Sequence, residues 1–319
     1  MTPLLSVKNL SIAFRIFNRI HRVVDDVSFS LSSGECIAIV GESGSGKSTL
    51  VKSLIGLNPS ETTVIEGGHI FYKGTDLISL NEKELRCYRG KEIAMIFQDS
   101  LSSLNPTMCV GKQVLESYMK HHPKVSKEIA TQKVLELLTW IGIPQPLERF
   151  YQYPHQFSGG MRQRIVIAIA LAAEPRILIA DEPTSALDAT IQVQILELLK
   201  KIQKELGMSI IFITHDLSIV SGFTSRILVM YGGSIVEEAA TQTLLESPSH
   251  PYTKKLLHSI PRFKLQKSDL LIPIEGSPPS TLNPIRGCPF HPRCDHALDI
   301  CSKEKPSMKS NNTACWLYK

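Results

Sequence analysis

The chain has 319 residues, 43% of them apolar and 20% charged, which is the composition of an ordinary globular protein and excludes a fibrous or disordered one. It lacks an apolar run near the roughly 18 residues of a membrane span and lacks an N-terminal signal layout, so we expect a cytoplasmic protein. The net charge of +5 is uneven, because residues 247–319 hold 11 Lys and Arg against 5 Asp and Glu. We interpret this basic tail as a solvated extension; contact with nucleic acid or anionic lipid is the alternative.

The first predicted elements are strands of a small antiparallel sheet. Residues 4–10 and 23–29 are predicted strands with the polar stretch 15–22 as a loop between them, and residues 65–72 form a third strand. The unbroken apolar run at residues 36–40 predicts a buried strand, and helical spacing follows soon after it. The intervening segment is therefore a strand-to-helix connection.

That connection reads GESGSGKST and fits the phosphate-binding pattern G-x-x-x-x-G-K-[ST]. Its glycines allow the backbone to close around a phosphate, and the helix N-terminus adds partial positive charge. Lys47 is predicted to reach the β- and γ-phosphates, and the Ser48 hydroxyl to bind Mg²⁺. The residues of the predicted loop are Gly41, Glu42, Ser43, Gly44, Ser45, Gly46, Lys47, Ser48 and Thr49.

A predicted helical region follows a short buried strand at residues 93–97, which ends at Gln98. From residue 99 to about residue 160 the spacing is helical, with prolines between the helices. The predicted helices cover 110–119, 127–140 and 147–153. We interpret residues 99–160 as a helical subdomain inserted into an α/β core.

Helices and strands then alternate again. The predicted elements are a helix at 159–173, a strand at 176–180, a helix with an apolar stripe from 191 to 202, a strand at 209–214, and a hairpin of 227–231 and 234–237. The strand at 176–180 is apolar throughout, as in parallel sheets covered on both faces. After residue 246 the composition shifts to Pro, Ser and Lys. We therefore divide the chain into a domain at 1–246 and an extension at 247–319.

Two carboxylates, Asp181 and Glu182, directly follow the predicted strand at 176–180. The C-terminal edge of parallel strands is where their ligands bind, so Asp181 is placed to hold Mg²⁺ through water and Glu182 to polarise an attacking water. Ser158 is predicted to cap the helix that follows it, and the next two glycines allow that helix N-terminus to approach a phosphate. A plain capped helix start is the alternative.

These motifs together resemble the ATPase subunits of ABC transporters over residues 4 to about 240. The sequence FSGGM at residues 157–161 is similar to the family signature, and residues 185–188 to the D-loop. The resemblance implies a P-loop NTPase (RecA-like) core with an antiparallel β subdomain and an inserted helical subdomain. It implies nucleotide-site roles for Gln98, Ser158, Gly159, Gly160, Asp188 and His215.

The family mechanism implied by the resemblance places two such domains head to tail around two ATP molecules. Ser158 and Gly160 then contact the γ-phosphate bound to the other subunit. Glu182 acts as the general base and His215 senses or stabilises the γ-phosphate. Phe14 is the residue implied to stack on adenine, with Phe17 as its competitor. Gln98, the glutamine of the family's loop, is assigned to Mg²⁺ together with Ser48 and Asp181.

A narrower resemblance links the chain to oligopeptide, dipeptide and nickel importers. Residues 98–106, the HPYT at 250–253 and the segment 287–294 are similar to that subfamily, and Met161 resembles its D-type subunit. The implied partners are an F-type ATPase subunit, two permeases and an extracytoplasmic binding protein, without nucleic acid. The implied location is peripheral, at the cytoplasmic face of the inner membrane. The expected cargo is oligopeptides or dipeptides; nickel or another small solute, or a soluble ABC ATPase role, are the alternatives.

Four cysteines crowd the end of the extension at the spacing C-x5-C-x6-C-x13-C: Cys288, Cys294, Cys301 and Cys315. The absence of a C-x2-C pair argues against a zinc ribbon. Four thiolates can hold a [4Fe–4S] cluster, and some D-type subunits that resemble this chain carry one. Zinc or no metal are the alternatives. Because the extension is poor in large apolar residues, we expect a metal to replace a hydrophobic core there.

Overall fold

The computed structural model describes residues 2–17, 19–185, 187–259, 274–282 and 284–318. Within these ranges the strands are β1 Leu5–Ile16, β2 Arg19–Leu31, β3 Cys36–Val40, β4 Thr63–Tyr72, β5 Thr75–Asp76, β6 Ile93–Ile96, β7 Ile177–Asp181, β8 Ser209–Thr214, β9 Arg226–Tyr231 and β10 Ser234–Ala240. The helices are α1 Lys47–Ser53, α2 Glu82–Leu85, α3 Ser100–Ser103, α4 Val110–His121, α5 Lys127–Trp140, α6 Pro146–Arg149, α7 Gly159–Leu171, α8 Ala189–Leu206, α9 Thr241–Glu246 and α10 Pro251–His258. The chain forms two compact units, Met1–Leu80 with Ile213–Lys319, and Asn81–Phe212.

The first unit contains an antiparallel sheet in the order β2-β1-β4-β5. The strand β1 pairs with β2 down to Ile16 opposite Arg19, so the loop predicted at residues 15–22 is wrong. Residues 15–16 and 19–22 stay extended because β1 and β2 pair there, and β1 is also paired on its other side with β4, just beyond which the Thr62 carbonyl accepts the Arg15 N–H. Backbone pairing on both sides outweighs the polar sequence pattern here.

A second set of strands in the first unit has the order β10-β9-β3. All five residues of β3 are buried, and β3 runs parallel to β9. The predicted hairpin of β9 and β10 is confirmed, with Gly232 and Gly233 at φ 53° and 85° in its two-residue turn. Positive φ at both central residues matches the twist of the strands and is readily adopted by glycine. The strand and the helix that flank the phosphate-binding pattern, β3 and α1, are also present as predicted.

The extension packs on that hairpin through large aromatic side chains. Tyr252 of α10 and Phe290 are both fully buried against Tyr231 of β9, with ring centroids 4.5 Å (Tyr252) and 5.2 Å (Phe290) from the Tyr231 ring. The Glu237 carboxylate of β10 accepts the backbone N–H groups of Ser249 and His250 at 2.6 and 2.9 Å. The expectation that the extension has little core is therefore wrong, because a few large rings bury as much surface as many small residues.

The second unit has the strand order β8-β7-β6, with residues 209–212 of β8 inside it and β6 parallel to β7 in the register Ile93↔Ile177. Its helices α4, α5 and α7 pack together through buried aliphatic residues such as Val114 and Val134. The bounds of α5 agree with the prediction, and Ser126 caps it by accepting the Ile129 N–H. The compact unit is wider than the predicted subdomain at 99–160, which stays a prediction.

Candidate functional site

The phosphate-binding pattern forms a tight loop between β3 and α1 in the first unit. Gly41, Gly44 and Gly46 have φ of 156°, 80° and 98°. A Cβ atom on Gly41 would lie 2.1 Å from the Met230 carbonyl oxygen, and one on Gly46 would lie 2.6 Å from that of Val23. Backbone contacts therefore exclude any side chain at positions 41 and 46. Loops with such glycines can direct backbone N–H groups toward a bound phosphate, which is how phosphate-binding loops hold anions.

Two side chains of the loop fit a bound phosphate. Lys47 is 5% exposed, and its Nζ donates to the carbonyl oxygens of Gly41 and Glu42 at 2.8 and 2.9 Å. The Ser45 Oγ is buried and has no hydrogen-bond partner among the described residues. A buried hydroxyl without a partner is unfavourable, so a ligand oxygen at this position satisfies it. The half-buried Ser48 and Thr49 follow at the start of α1.

The second unit brings together two of the predicted residues, Gln98 and Glu182. Asp181 is the last residue of β7 and is 2% exposed, and Glu182 follows it. Gln98, two residues after β6, donates from Nε2 to Glu182 Oε2 at 3.1 Å. Glu182 has a φ of 45°, which is uncommon for a residue with a side chain and is often found at functional sites. The carboxylate therefore has a defined direction and a defined partner.

The signature segment, residues 157–161, forms the N-terminus of α7 in the same unit. Ser158 and Gly159 are exposed, and Ser158 Oγ accepts the Met161 N–H at 3.4 Å. Gly160 is buried, and a Cβ atom there would lie 2.5 Å from Ile191 of α8. Asp188 caps α8 by accepting the Ile191 N–H at 3.0 Å. Ile191 therefore lies against Gly160 of the signature and also donates its N–H to Asp188 of the predicted D-loop. Ala186 of the D-loop lies outside the described residues.

The remaining predicted residues of the nucleotide site lie in the first unit. His215 is exposed and directly follows β8. Phe14 is half-buried in β1, where it pairs with His21 on one side and Thr63 on the other. Phe17 is 98% exposed at the tip of the hairpin, so Phe14 has the more fixed position. The assignment of adenine stacking to Phe14 instead of Phe17 stays a prediction.

Two residues that the sequence reasoning missed contact the phosphate-binding loop. Arg293 of the extension pairs with the Glu42 carboxylate through both terminal nitrogens, at 2.6 and 3.0 Å. The Tyr252 hydroxyl accepts the Glu42 N–H at 2.9 Å. Local patterns carry no signal for either contact. A carboxylate close to a bound phosphate generally needs a cationic partner, and this is the one signal that could have suggested an ion pair at Glu42.

The four cysteines of the extension are free thiols, three of them buried. Burial, and then the charges of the other three, raise the pKa of Cys288 to about 11; the pKa values of Cys294 and Cys315 are also raised, chiefly by burial. In the part of the chain described, no three His, Cys, Asp or Glu side chains form a group that could hold a metal ion. Crowded thiolates repel, so ionising all four would require a positive centre. The [4Fe–4S] cluster on these cysteines stays a prediction.

Among the described residues, no helix combines the length and the apolar character that crossing a membrane requires.

Comparisons with known proteins cover nearly the whole chain. Residues 24–185 match the family described as ABC transporter, and residues 236–301 match the one described as oligopeptide/dipeptide transporter, C-terminal region. The chain is 48% identical to the dipeptide transport ATP-binding protein DppD of Bacillus subtilis (strain 168), over 99% of this chain and 95% of that protein. It is 49% identical to the oligopeptide transport ATP-binding protein OppD of the same organism, over 97% and 86%.

Solved structures agree with this assignment. The dimeric post-hydrolysis structure of the ATP-binding cassette MJ0796, bound to ADP and Pi, has a TM-score of 0.66 and 29% identity, covering 74% of this chain and 98% of the cassette. The predicted P-loop NTPase fold and the predicted family are thereby confirmed. The cysteine-rich character of the extension is not tested by these matches. The chain belongs to the ABC transporter family, as one of its ATP-hydrolysing, ATP-binding subunits.

Proposed function

We propose that this protein hydrolyses ATP to power the uptake of oligopeptides or dipeptides through partner permeases. The observation that carries the proposal is the match along the whole chain, extension included, to ATP-binding proteins named for dipeptide and oligopeptide transport. The loop at residues 41–49 supports it independently, because its glycines, its buried lysine and its unsatisfied serine suit a phosphate.

In the proposed reaction, the phosphate-binding loop holds the ATP phosphates and Lys47 balances their charge. Glu182 accepts a proton from the attacking water, and the amide of Gln98 orients that carboxylate. His215 and the signature residues stabilise charge on the γ-phosphate. Mg²⁺, which when bound neutralises phosphate oxygens, is assigned to Ser48, Gln98 and Asp181. Phe14 is assigned to the adenine ring.

The proposed assembly is a heterodimer with an F-type ATPase subunit. Such a dimer joins the loop of one subunit to the signature of the other, and the exposed Ser158 and Gly159 suit that role. Two permease subunits and an extracytoplasmic binding protein complete the importer. The ATPase then lies peripherally at the cytoplasmic face of the membrane. Gln98 and the segment up to Pro106 are assigned to contact a permease.

The proposed metal group is a [4Fe–4S] cluster on Cys288, Cys294, Cys301 and Cys315, with zinc as the alternative. The cluster, when bound, supplies the positive centre that the four thiolates need. Protein purified without oxygen is expected to be brown and to contain about four iron atoms per chain, as a Cys₄ cluster requires. Colourless protein with one zinc contradicts the cluster, and metal-free protein contradicts the site.

The function is tested by uptake in cells that lack the endogenous importer. Cells carrying the wild-type chain with its partners should take up labelled dipeptides, and cells carrying Lys47→Ala should not. Nickel uptake is measured in parallel. Nickel uptake without peptide uptake contradicts the proposed cargo while retaining the ATPase role, and ATP-independent uptake contradicts the function as a whole.

A further inference from the structure

Arg293 lies in the extension, and all five of its N–H donors are used. Two go to the Glu42 carboxylate at 2.6 and 3.0 Å, and one to the Tyr231 hydroxyl at 3.1 Å. The others go to the carbonyl oxygens of Ile274, at 3.1 Å, and Glu275, at 2.8 Å. The side chain is only 5% exposed. A guanidinium held in this way has one geometry, so it fixes the position of its carboxylate partner.

Glu42 is the second residue of the phosphate-binding loop, and three groups hold it. Its carboxylate binds Arg293, its N–H donates to the Tyr252 hydroxyl, and its carbonyl oxygen accepts from Lys47. Arg293 and Tyr252 both belong to the extension. The same residue of the loop is therefore fixed by the extension at its backbone and at its side chain.

The groups that hold Glu42 are themselves firmly supported. Tyr252, Tyr231 and Phe290 form one buried aromatic cluster with ring centroids between 4.5 and 5.4 Å apart. The start of α10 is tied to β10 because the Glu237 carboxylate accepts two of its preceding N–H groups. A rigid support of this kind is what allows hydrogen bonds to set the geometry of a loop.

The ion pair between Arg293 and Glu42 also changes the charge that a bound phosphate meets in the loop. A carboxylate in a loop that binds phosphate repels the ligand, and the repulsion is strong where the groups are partly shielded from water. The Glu42 side chain is 23% exposed, so water screens it only in part. Pairing with Arg293 neutralises the carboxylate before the phosphate arrives.

We infer that Arg293 and Tyr252 are positioning residues for ATP binding, an inference that rests on the proposed use of this loop for ATP. They hold the loop in its binding conformation and cancel the charge of Glu42. The affinity for ATP therefore depends on the extension, while the rate of the chemical step depends on Glu182.

The test compares five variants of the full chain: Arg293→Gln, Glu42→Gln, the double variant of the two, Tyr252→Phe, and Arg226→Gln as a control. Arg226 makes a similar network with Glu35, Glu238 and the Ser30 carbonyl, at the opposite end of β3 from the loop. Calorimetry measures MgATP binding, and steady-state kinetics of the assembled importer give KM and kcat. Hydrogen exchange of residues 41–49 is measured without nucleotide.

Arg293→Gln should weaken MgATP binding roughly tenfold or more, since it removes hydrogen bonds to a charged group and leaves that charge unpaired. KM should rise and kcat should change less than about twofold, because the lost interaction acts on binding. Glu42→Gln alone should be milder, and the double variant should bind better than Arg293→Gln. Tyr252→Phe, which keeps the ring packed, should weaken binding by a few fold, about the effect of one hydrogen bond.

Hydrogen exchange in residues 41–49 should be faster in Arg293→Gln and Tyr252→Phe and unchanged in Arg226→Gln. This measurement needs no nucleotide, so it tests the positioning role even if the wild-type chain fails to bind ATP, a result that would count against the proposed function. Exchange and affinity that match wild type in Arg293→Gln and in Tyr252→Phe would overturn the inference. Equal losses in Arg293→Gln and Arg226→Gln would also overturn it, because they indicate a general loss of stability.

Discussion

The phosphate-binding loop and the signature segment both place glycines at the start of a helix, but they are supported differently. In the loop, Gly41, Gly46 and Lys47 are buried, and side chains from the distant extension hold Glu42. In the signature, Ser158 and Gly159 are exposed, and the contacts come from the segment itself, from Arg149 of α6 and from Ile191 of α8, all in the same unit. The loop is thus prepared for its ligand within one chain, whereas the signature is presented outward, as suits a segment that acts on a partner.

The largest expected effect separates chemistry from binding. Glu182→Gln should lower ATP hydrolysis by the assembled importer roughly a hundredfold or more, since a general base contributes about that much. MgATP affinity should stay within about twofold, because the change leaves the loop intact. Steady-state hydrolysis and calorimetry measure the two quantities.

A matched control for this prediction is Glu174→Gln. Glu174 is exposed and also has a positive φ, 53°, but it precedes β7 instead of following it. Its hydrolysis rate should equal that of wild type. Normal hydrolysis by Glu182→Gln would assign the base to another residue.

The second effect concerns the loop itself. Lys47→Ala removes a buried ammonium that donates to two loop carbonyl oxygens, so it should weaken MgATP binding at least roughly tenfold. Lys52→Ala, which removes a charge from the last turn of the same helix α1, should bind ATP normally. Equal affinities for the two variants would contradict the role of Lys47.

Local patterns were sufficient to predict much of this architecture. The strand, glycines and helix around Lys47 follow from spacing and from one motif, and the bounds of α5 were predicted residue for residue because Ser126 caps an uninterrupted helical run. The hairpin at Gly232-Gly233 was equally clear, since two adjacent glycines between apolar runs favour one turn type.

Long-range contacts were beyond such patterns. Arg293 and Glu42 are 251 residues apart, and charge alone does not select one partner among 35 Lys and Arg residues. The strand ends at residues 15–16 and 19–22 were missed because pairing between β1 and β2, and of β1 with β4, keeps them extended without a side-chain alternation that the sequence could show. The core of the extension was missed because its rings pack on Tyr231, which belongs to β9.

A separate effect, on stability instead of on ATP, is a pH dependence of the segment that holds the loop. Burial, and then the charge of Lys254, lower the pKa of His250 to about 4 from its usual 6.5. The unfolded chain therefore binds more protons between these values, and stability present above pH 6.5 is lost as the pH falls through 6.5 to 4. The loss amounts to about 3 kcal/mol over this interval.

Urea unfolding at pH 7 and pH 5 measures this dependence. His250→Asn should flatten it, because asparagine does not titrate in this pH range. The variant keeps the helix cap, since asparagine also accepts the Tyr252 N–H that His250 Nδ1 now accepts at 3.0 Å. His155→Asn, an exposed residue of the second unit, should leave the dependence unchanged. An equally steep dependence in His250→Asn would assign the loss to other groups.

The smallest effect tests whether the signature acts outside its own chain. Ser158→Ala should cost about 1 kcal/mol of stability, the typical value of a helix cap, and should leave MgATP binding by the isolated chain unchanged. Ser126→Ala is a close match, because both serines accept an N–H three residues on at 3.4 Å. Thermal unfolding should show similar losses in both variants. Hydrolysis by the assembled importer should fall in Ser158→Ala alone, since only that hydroxyl faces a γ-phosphate across the proposed dimer. If both variants lost hydrolysis to the same degree, Ser158 would be a helix cap and nothing more.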